Sequence, residues 1–528
     1  MKKWNSWRSG EFNNNYDVII IGSGISGLTA GVLLAREGKK VLVLEKHFKI
    51  GGWTHTFKRK KYEWDVGIHY IGEVHNKNNI VYKLFDYICN GKLKWNKMND
   101  NYDKIIFPDK EYNFNAPRSR FISDMLQYFP GTEQKFIKYI NMIDESVKSG
   151  QQFYANKALP RWLGNMTYSF MTKKYFKYSD LTTRNVIMEL FDNEKILGVL
   201  SGQWGDHGLP PSQSSFAMHA AVVRHYLNGG NYPIGTSRVI GETASDNLES
   251  MGGELYVNAG VDEIIINKNK AIGVRLENKD EIYAPIIISS TGVLNTYNCL
   301  LRNSKRNKQY KEMIKKVYPT SSYLCLYIGL KIASSDLMKN NTNLWIYPGY
   351  DHDTNVKNYI SNNNVEFPVI YISFPSAKDP EYQKKYPHNS TMEVIVPSPF
   401  HDFEKWQNQL WKKRGTDYDN LKENISQRIL KEVYKYVPKA KKTIDYYELS
   451  TPLSVKSLAN YKIGEMYGIE HGPSRFHNKW LRPQTEIKNL FLTGQDIITV
   501  GVTSALFSGL LTVSSILKKN LIKEILKN

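Results

Sequence analysis

Tyr16-Asp17-Val18-Ile19-Ile20-Ile21 runs directly into Gly22-Ser23-Gly24-Ile25-Ser26-Gly27, and Glu45 stands at the end of Val41-Leu42-Val43-Leu44. An unbroken β-branched run reads as a buried parallel strand. The glycines supply a tight turn, a close approach of backbone to a pyrophosphate, and close packing of the next helix on the sheet. Ile25 and Ser26 open that helix, whose free N–H groups and positive dipole end favour phosphate. Residues 28–36 continue it with an apolar face, and Gly38 stops it. The Glu45 carboxylate, with Lys46 beside it, can accept hydrogen bonds from both ribose hydroxyls and would repel a 2′-phosphate. The spacing predicts an α/β, Rossmann-like dinucleotide-binding domain. The plainer reading, a glycine-rich turn in an ordinary α/β protein, leaves Glu45 without a purpose.

The residues beyond Glu45 favour a longer dinucleotide than NAD. Gly51-Gly52, Trp53 and Thr54 come soon after the acid, then His55-Thr56-Phe57 and Asp65-Val66-Gly67-Ile68-His69-Tyr70. A glycine pair here suits a chain that keeps tracking the cofactor toward a flavin. Near the C-terminus, residues 489–492 read as a short strand opening into Thr493-Gly494-Gln495-Asp496. A helix then begins near Gly501 and Val502 and runs apolar to Leu517. Asp496 can hold the ribityl side of a flavin, and the helix N–H groups can stabilise negative charge on a reduced ring. The plainer alternative is a turn leading into a core helix.

Several stretches together resemble the retinol saturase group within the carotenoid isomerase and phytoene desaturase flavoproteins. They are residues 51–57, 65–72, 214–235, Thr451-Pro452-Leu453 with Tyr467-Gly468, and 492–497, in order along nearly the whole chain. The resemblance implies FAD, held by Gly22, Gly24, Gly27, Glu45, Gly51, Gly52, Gly494 and Asp496. It also implies a phytoene desaturase or amine oxidase-like fold, with the Rossmann-like FAD domain interleaved with an α+β substrate domain. The implied chemistry acts on a C=C bond of a hydrophobic polyene or isoprenoid. Trp53, where small residues or cysteine are common, and Thr236, where glycine is usual, depart from the pattern and leave the substrate open.

On this reading, residues 16–75, 236–300 and 482–522 form the FAD domain, and 76–235 with 301–481 form the substrate domain. Residues 1–15 are expected to be a flexible arm. Strands are expected at 254–257, 261–266, 271–276, 282–290, 323–329, 369–374 and 391–396, and helices at 238–251 and 419–437. Val261 is expected to approach the adenine, and Gly292 to turn beneath the cofactor.

Composition excludes more than it selects. Three separated cysteines give no disulfide framework, and twelve histidines show no metal-ligand spacing, so no metal is expected. The formal charge of +20 lacks a nucleic-acid module to explain it. An anionic membrane surface is the better candidate. Residues 155–179 contain no acid and mix Lys157, Arg161, Lys173, Lys174 and Lys177 with Trp162, Tyr168, Phe170, Tyr175, Phe176 and Tyr178. A solvated aromatic face is the alternative. Residues 1–15 have no apolar signal region and no stretch reads as a transmembrane helix. The expected location is cytoplasmic, with peripheral membrane contact.

Reduction of a C=C bond needs a hydride on one carbon and a proton on its neighbour. His69 and Tyr70 are the candidates to deliver that proton or position the substrate, with His55 and His219 weaker ones; packing around the cofactor is their alternative role. Only one dinucleotide fingerprint is present, so the electron donor is open between transient NAD(P)H and another carrier. The same machinery serves a saturase, first choice on the motifs, or an isomerase or a desaturase. A non-catalytic prenyl-lipid escort would keep the pocket and lose the cofactor residues, which here are intact.

Overall fold

Val18–Ile21 (β1), Ile25–Arg36 (α1) and Val41–Leu44 (β2) form the βαβ unit that the glycine spacing predicts. The computed structural model describes residues 4–10, 15–338 and 340–527. β1 and β2 pair in parallel; Glu254–Tyr256 extends the sheet beyond β2, and Ile286–Ser289 and Leu490–Leu492 extend it beyond β1. Val18, Ile20, Val41 and Val43 pack toward α1, while Ile19, Ile21, Leu42 and Leu44 join the cluster on the opposite face. Strands covered on both faces have no polar side to show, hence the unbroken apolar run.

The two chain ends close on each other at this sheet. Helix Val502–Leu517 lies so near α1 that a Cβ at Gly509 would stand 2.6 Å from the Ser26 carbonyl oxygen. On the other face, Val261–Asn267, Lys270–Leu276 and Glu281–Tyr283 make a small antiparallel sheet. The expected single strand over 282–290 is therefore two strands in two sheets. Pro285 stands between them, without the N–H that a continuous ladder would use.

A second sheet of seven strands carries the rest. Its order is 444–450, 323–330, 390–397, 370–373, 343–346, 101–106 and 111–115. Side chains alternate across it. Leu324, Leu326, Ile328, Leu344, Ile372 and Val394 pack on one side with Ile429, Leu430 and Val433 of helix Thr416–Tyr436. Tyr323, Cys325, Tyr327, Trp345, Tyr371 and Ile395 face the other way and floor a cavity.

Two pieces sit across the expected domain division. Ile80–Ile88, assigned to the substrate unit, packs Val81, Leu84, Phe85 and Ile88 into the same cluster as α1. The hairpin Thr56–Arg59 and Tyr62–Asp65, assigned to the FAD unit, lays Tyr62 and Trp64 on Tyr327 of the large sheet. Within the expected N-terminal arm, the Trp7 backbone N–H donates to the Val257 carbonyl at 3.0 Å and its indole to Asp280 at 2.8 Å. Residues 1–3 and 11–14 of that arm lie outside the described residues.

Candidate active site

A cavity of about 1300 Å³ is lined from both sheets. The dinucleotide end is built from backbone. Gly22 has φ +96°, and a Cβ on Gly27 would stand 2.3 Å from the Gly22 carbonyl oxygen, so α1 can seat against the turn only with glycine there. Gly52, at φ +55°, passes Gly24 so closely that a Cβ would meet the Gly24 Cα at 3.1 Å. Both α1 and the helix Val502–Leu517 begin at a glycine without a side-chain cap, and both starts line the cavity. Their unsatisfied N–H groups are available to phosphate and to a reduced flavin ring. These cradles and uncapped ends fit a flavin dinucleotide.

Gly22, Gly24, Ile25, Ser26, Glu45, Lys46, Gly51, Gly52, Trp53, Thr54, Val261, Gly292, Gly494, Asp496, Gly501 and Val502 all line the cavity. Gly27 does not; it is the packing contact just described. The local roles are more varied than cofactor contact. Glu45 Oε2 accepts from the Ser23 N–H and hydroxyl at 2.8 and 2.7 Å, and Oε1 from the His47 N–H at 2.8 Å. One remaining lone pair of Oε1 is then free for a ribose hydroxyl. Lys46 pairs with Glu277 at 2.8 Å. Thr54 donates to the Gly51 carbonyl at 2.9 Å and fixes the glycine turn.

Asp496 is a clasp. Oδ2 accepts the Val293 N–H at 2.8 Å and Oδ1 the Ile469 N–H at 3.0 Å. It thereby ties the Gly292 turn (φ +85°), the C-terminal loop and the chain after Gly468 into one wall. Arg475, which the sequence did not single out, reinforces that wall by donating to the carbonyls of Ile469, Gln495 and Asp496 at 2.7, 2.9 and 3.0 Å.

The other end of the cavity is aromatic. Tyr70 stacks on Tyr226 with ring centroids 4.2 Å apart, and both line the cavity together with Tyr323, Tyr327, Trp345 and Tyr371 of the floor. The Tyr70 hydroxyl donates to Asp103 at 2.8 Å, and Gln203 and Asn343 also donate to that carboxyl. Asp206 lines the cavity with a buried Oδ2 that has no hydrogen-bond partner. Burial, then the nearby Asp103, pushes its carboxyl well above the usual range. No motif marked Asp206 in the sequence.

His69 lines the cavity, and its Nδ1 stands 2.9 Å from Glu393 Oε2, within reach but not aligned for a hydrogen bond. Burial lowers its pKa to about 3, so the ring is neutral. Behind it lies a buried charged group. Lys378 Nζ donates to the His69 carbonyl, Asn343 and Ser373 at 3.0, 2.5 and 2.7 Å. Asp65 accepts from the Ser237 N–H at 3.1 Å and from Tyr232, and donates its own N–H to Glu393 Oε1 at 2.8 Å. Of the weaker candidates, His55 lines the cavity but bonds the Gly52 carbonyl at 2.6 Å. His219 is not at the cavity. It is buried in the helical core and bonded to the Tyr139 hydroxyl at 2.7 Å, which corrects the expectation.

The model of the NAD(P)-binding Rossmann-like domain family matches residues 20–88. The chain is 35% identical over 525 residues to an all-trans-retinol 13,14-reductase of Danio rerio, covering 96% of this chain and 86% of that one. A chloroplastic prolycopene isomerase of Daucus carota is 24% identical, covering 94% and 79%. Among solved structures, cyclohexylamine oxidase from Brevibacterium oxydans superposes with a TM-score of 0.60 at 14% identity, over 97% of this chain and 99% of that one. That likeness shows the two-domain fold.

Proposed function

We propose that this chain, which belongs to the all-trans-retinol 13,14-reductase family, is an FAD-dependent oxidoreductase that saturates a C=C bond of a hydrophobic polyene. Bound and reduced, the flavin would supply a hydride to one alkene carbon. The chain's own residues do the rest. Gly22, Gly24, Glu45, Gly51, Gly52 and the two uncapped helix starts would hold the dinucleotide. Tyr70 and Tyr226 above, with Tyr327, Trp345 and Tyr371 below, would clamp a flat conjugated chain and exclude water. His69 or Tyr70 would bring the proton to the neighbouring carbon.

The observation that carries this reading is the continuity of the cavity, which runs from Gly22 and Glu45 to the tyrosine floor. The test is direct: purified protein extracted with organic solvent should release flavin together with an isoprenoid or polyene. A colourless protein that takes up no FAD would contradict it. The carrot relative keeps the isomerase alternative in view, and product mass separates the two. Transient NAD(P)H, or another carrier, would reduce the flavin; stopped-flow bleaching by NADPH or NADH discriminates between them.

A membrane surface is the proposed source of the substrate. On helix Arg161–Ser179, Trp162, Met166 and Phe170 are 66%, 75% and 83% exposed and recur every four residues on one face. Exposed Lys173, Lys174 and Lys177 continue that helix, with no acid among residues 161–179. Tyr175 and Tyr178, grouped with them on sequence alone, are core residues. None of residues 155–179 lines the cavity, so this face would hold the protein at the bilayer rather than form the entrance. No helix among the described residues is long and apolar enough to cross a membrane.

A further inference from the structure

We propose that Glu393 is a positioning residue that stores the proton His69 delivers, the two forming a relay across one imidazole ring. This rests on the reading of the cavity as a site of C=C reduction. Glu393 lies in the strand Ser390–Pro397, whose Met392, Val394 and Val396 fill the core beneath the sheet. Its carboxyl therefore points to the opposite side, under the loop that carries His69. It is fully buried and does not line the cavity, whereas the His69 ring beside it does.

The geometry gives each oxygen a separate task. Oε1 accepts the Asp65 N–H at 2.8 Å, which anchors the group. Oε2 has no aligned partner and stands 2.9 Å from His69 Nδ1, which also lacks one. Two buried polar atoms left facing each other are costly in a purely structural role. Catalytic hydrogen bonds are often misaligned before substrate binds. Asp65 faces Glu393 from the end of the strand Tyr62–Asp65 and His69 from the loop that follows, Lys378 from the helix Pro375–Lys378, Tyr327 and Cys325 from the neighbouring strand, and Tyr232 from Gly230–Pro233. Burial raises the carboxyl to about 8 in spite of Lys378, so it carries a proton at neutral pH beside a neutral ring.

The step balances. Flavin, when bound and reduced, would supply the hydride to one alkene carbon. The other carbon takes the proton from His69 Nε2, forming a C–H bond as the N–H bond breaks. Glu393 Oε2–H gives its proton to Nδ1. The ring stays neutral with its proton moved to the opposite nitrogen, and the negative charge rests on the Glu393 carboxylate, where Lys378 offsets it. Solvent reloads the carboxyl before the next turnover.

Glu393→Gln is the test. Its amide oxygen can still take the Asp65 N–H, and its NH₂ can still donate to Nδ1, which preserves the ring tautomer but removes the transferable proton. The expected result is a fall in kcat of about 100-fold at unchanged KM, with the loss of the wild-type decline in rate above pH 8. In the cofactor-free protein, infrared difference spectra should show a protonated-carboxyl band that titrates near pH 8 in wild type and is missing from Glu393→Gln. Wild-type kcat and pH profile in the variant, or identical infrared titrations, would overturn the relay. Should Glu393→Gln not fold, Glu393→Asp withdraws the acid from Nδ1; reduced kcat with the alkaline decline retained is expected, and unchanged kcat overturns the proposal. If wild type reduces no polyene while the band titrates as expected, the reaction assignment fails and the buried proton store stands.

Discussion

Gly27→Ala tests the cofactor cradle most sharply because the structure contains its own control. The new Cβ would lie 2.3 Å from the Gly22 carbonyl oxygen, whereas ordinary contact begins near 3.4 Å. The obstacle is backbone in a turn already held by the Gly22 N–H to the Leu44 carbonyl at 2.8 Å, so it cannot swing aside. α1 must lift by about 1 Å at its first turn. Overpacking of this kind costs about 1–3 kcal/mol of stability. The same lift draws the helix N–H groups away from the pyrophosphate, and losing one charge-assisted hydrogen bond costs about 1.5–3 kcal/mol, or roughly 10- to 150-fold in FAD affinity. Gly31→Ala, one turn later, places its Cβ 3.5 Å from Ile20 and Leu248, an ordinary contact. It should keep FAD and gain about 0.5–1 kcal/mol from the lost glycine entropy. The assay is flavin content after purification, then FAD titration of the stripped proteins monitored by thermal shift. Equal FAD affinity in Gly27→Ala and wild type would refute the steric role of Gly27.

Asp496→Asn should destabilise the protein by about 1–3 kcal/mol and weaken flavin retention, because one of the Val293 and Ile469 N–H groups would then face an amide NH₂; chemical denaturation with and without FAD measures both effects, and unchanged values would contradict the clasp. Stability of the cofactor-free protein should peak near pH 6.5. His55, His69, His207 and His219 are lowered to about 3, and His225 and His352 to about 4, all led by burial, so their contribution is lost as pH falls below the unfolded value of about 6.5. Burial raises Asp65 to about 7 and Glu393 to about 8, so stability tied to them is full below about pH 4 and is lost as pH rises through those values. Thermal melts across pH 5 to 9 check the sign, and a melting temperature still rising at pH 9 would contradict it. Replacing Trp162, Met166 and Phe170 together with serine should abolish flotation with phosphatidylserine vesicles while leaving the melting temperature within a few degrees, since all three side chains are exposed; flotation equal to wild type would place the membrane contact elsewhere.

The dinucleotide end was legible because its signals are local and mutually dependent. Strand, glycine turn, helix and Glu45 lie within thirty residues, and the βαβ unit forms over the span that the spacing predicts. The aromatic end was not, because it is made by distant segments landing on one another. Glu393 reads in Met392-Glu393-Val394 as the solvent-facing residue of an alternating strand, and it is buried because Asp65, His69, Lys378 and Tyr232, from distant segments, close over it. Asp206 stands in a stretch with no motif and acquires its environment from Asp103 and Tyr70. Asp496 was visible as a residue of the C-terminal loop, which lines the cavity. Its two partners are 203 and 27 residues away along the chain, beyond any local pattern. Similarly, the strand 282–290 divides because two sheets compete for it, a tertiary fact that only Pro285 hints at in the sequence.

Whether the flavin site saturates its substrate is decided by anaerobic incubation of the purified, flavin-loaded protein with a reductant and a conjugated polyene, with mass spectrometry of the product. Addition of two hydrogens is expected, and in D₂O one non-exchangeable deuterium on the carbon that takes the proton. A product of unchanged mass, or one that has lost two hydrogens, would contradict saturation.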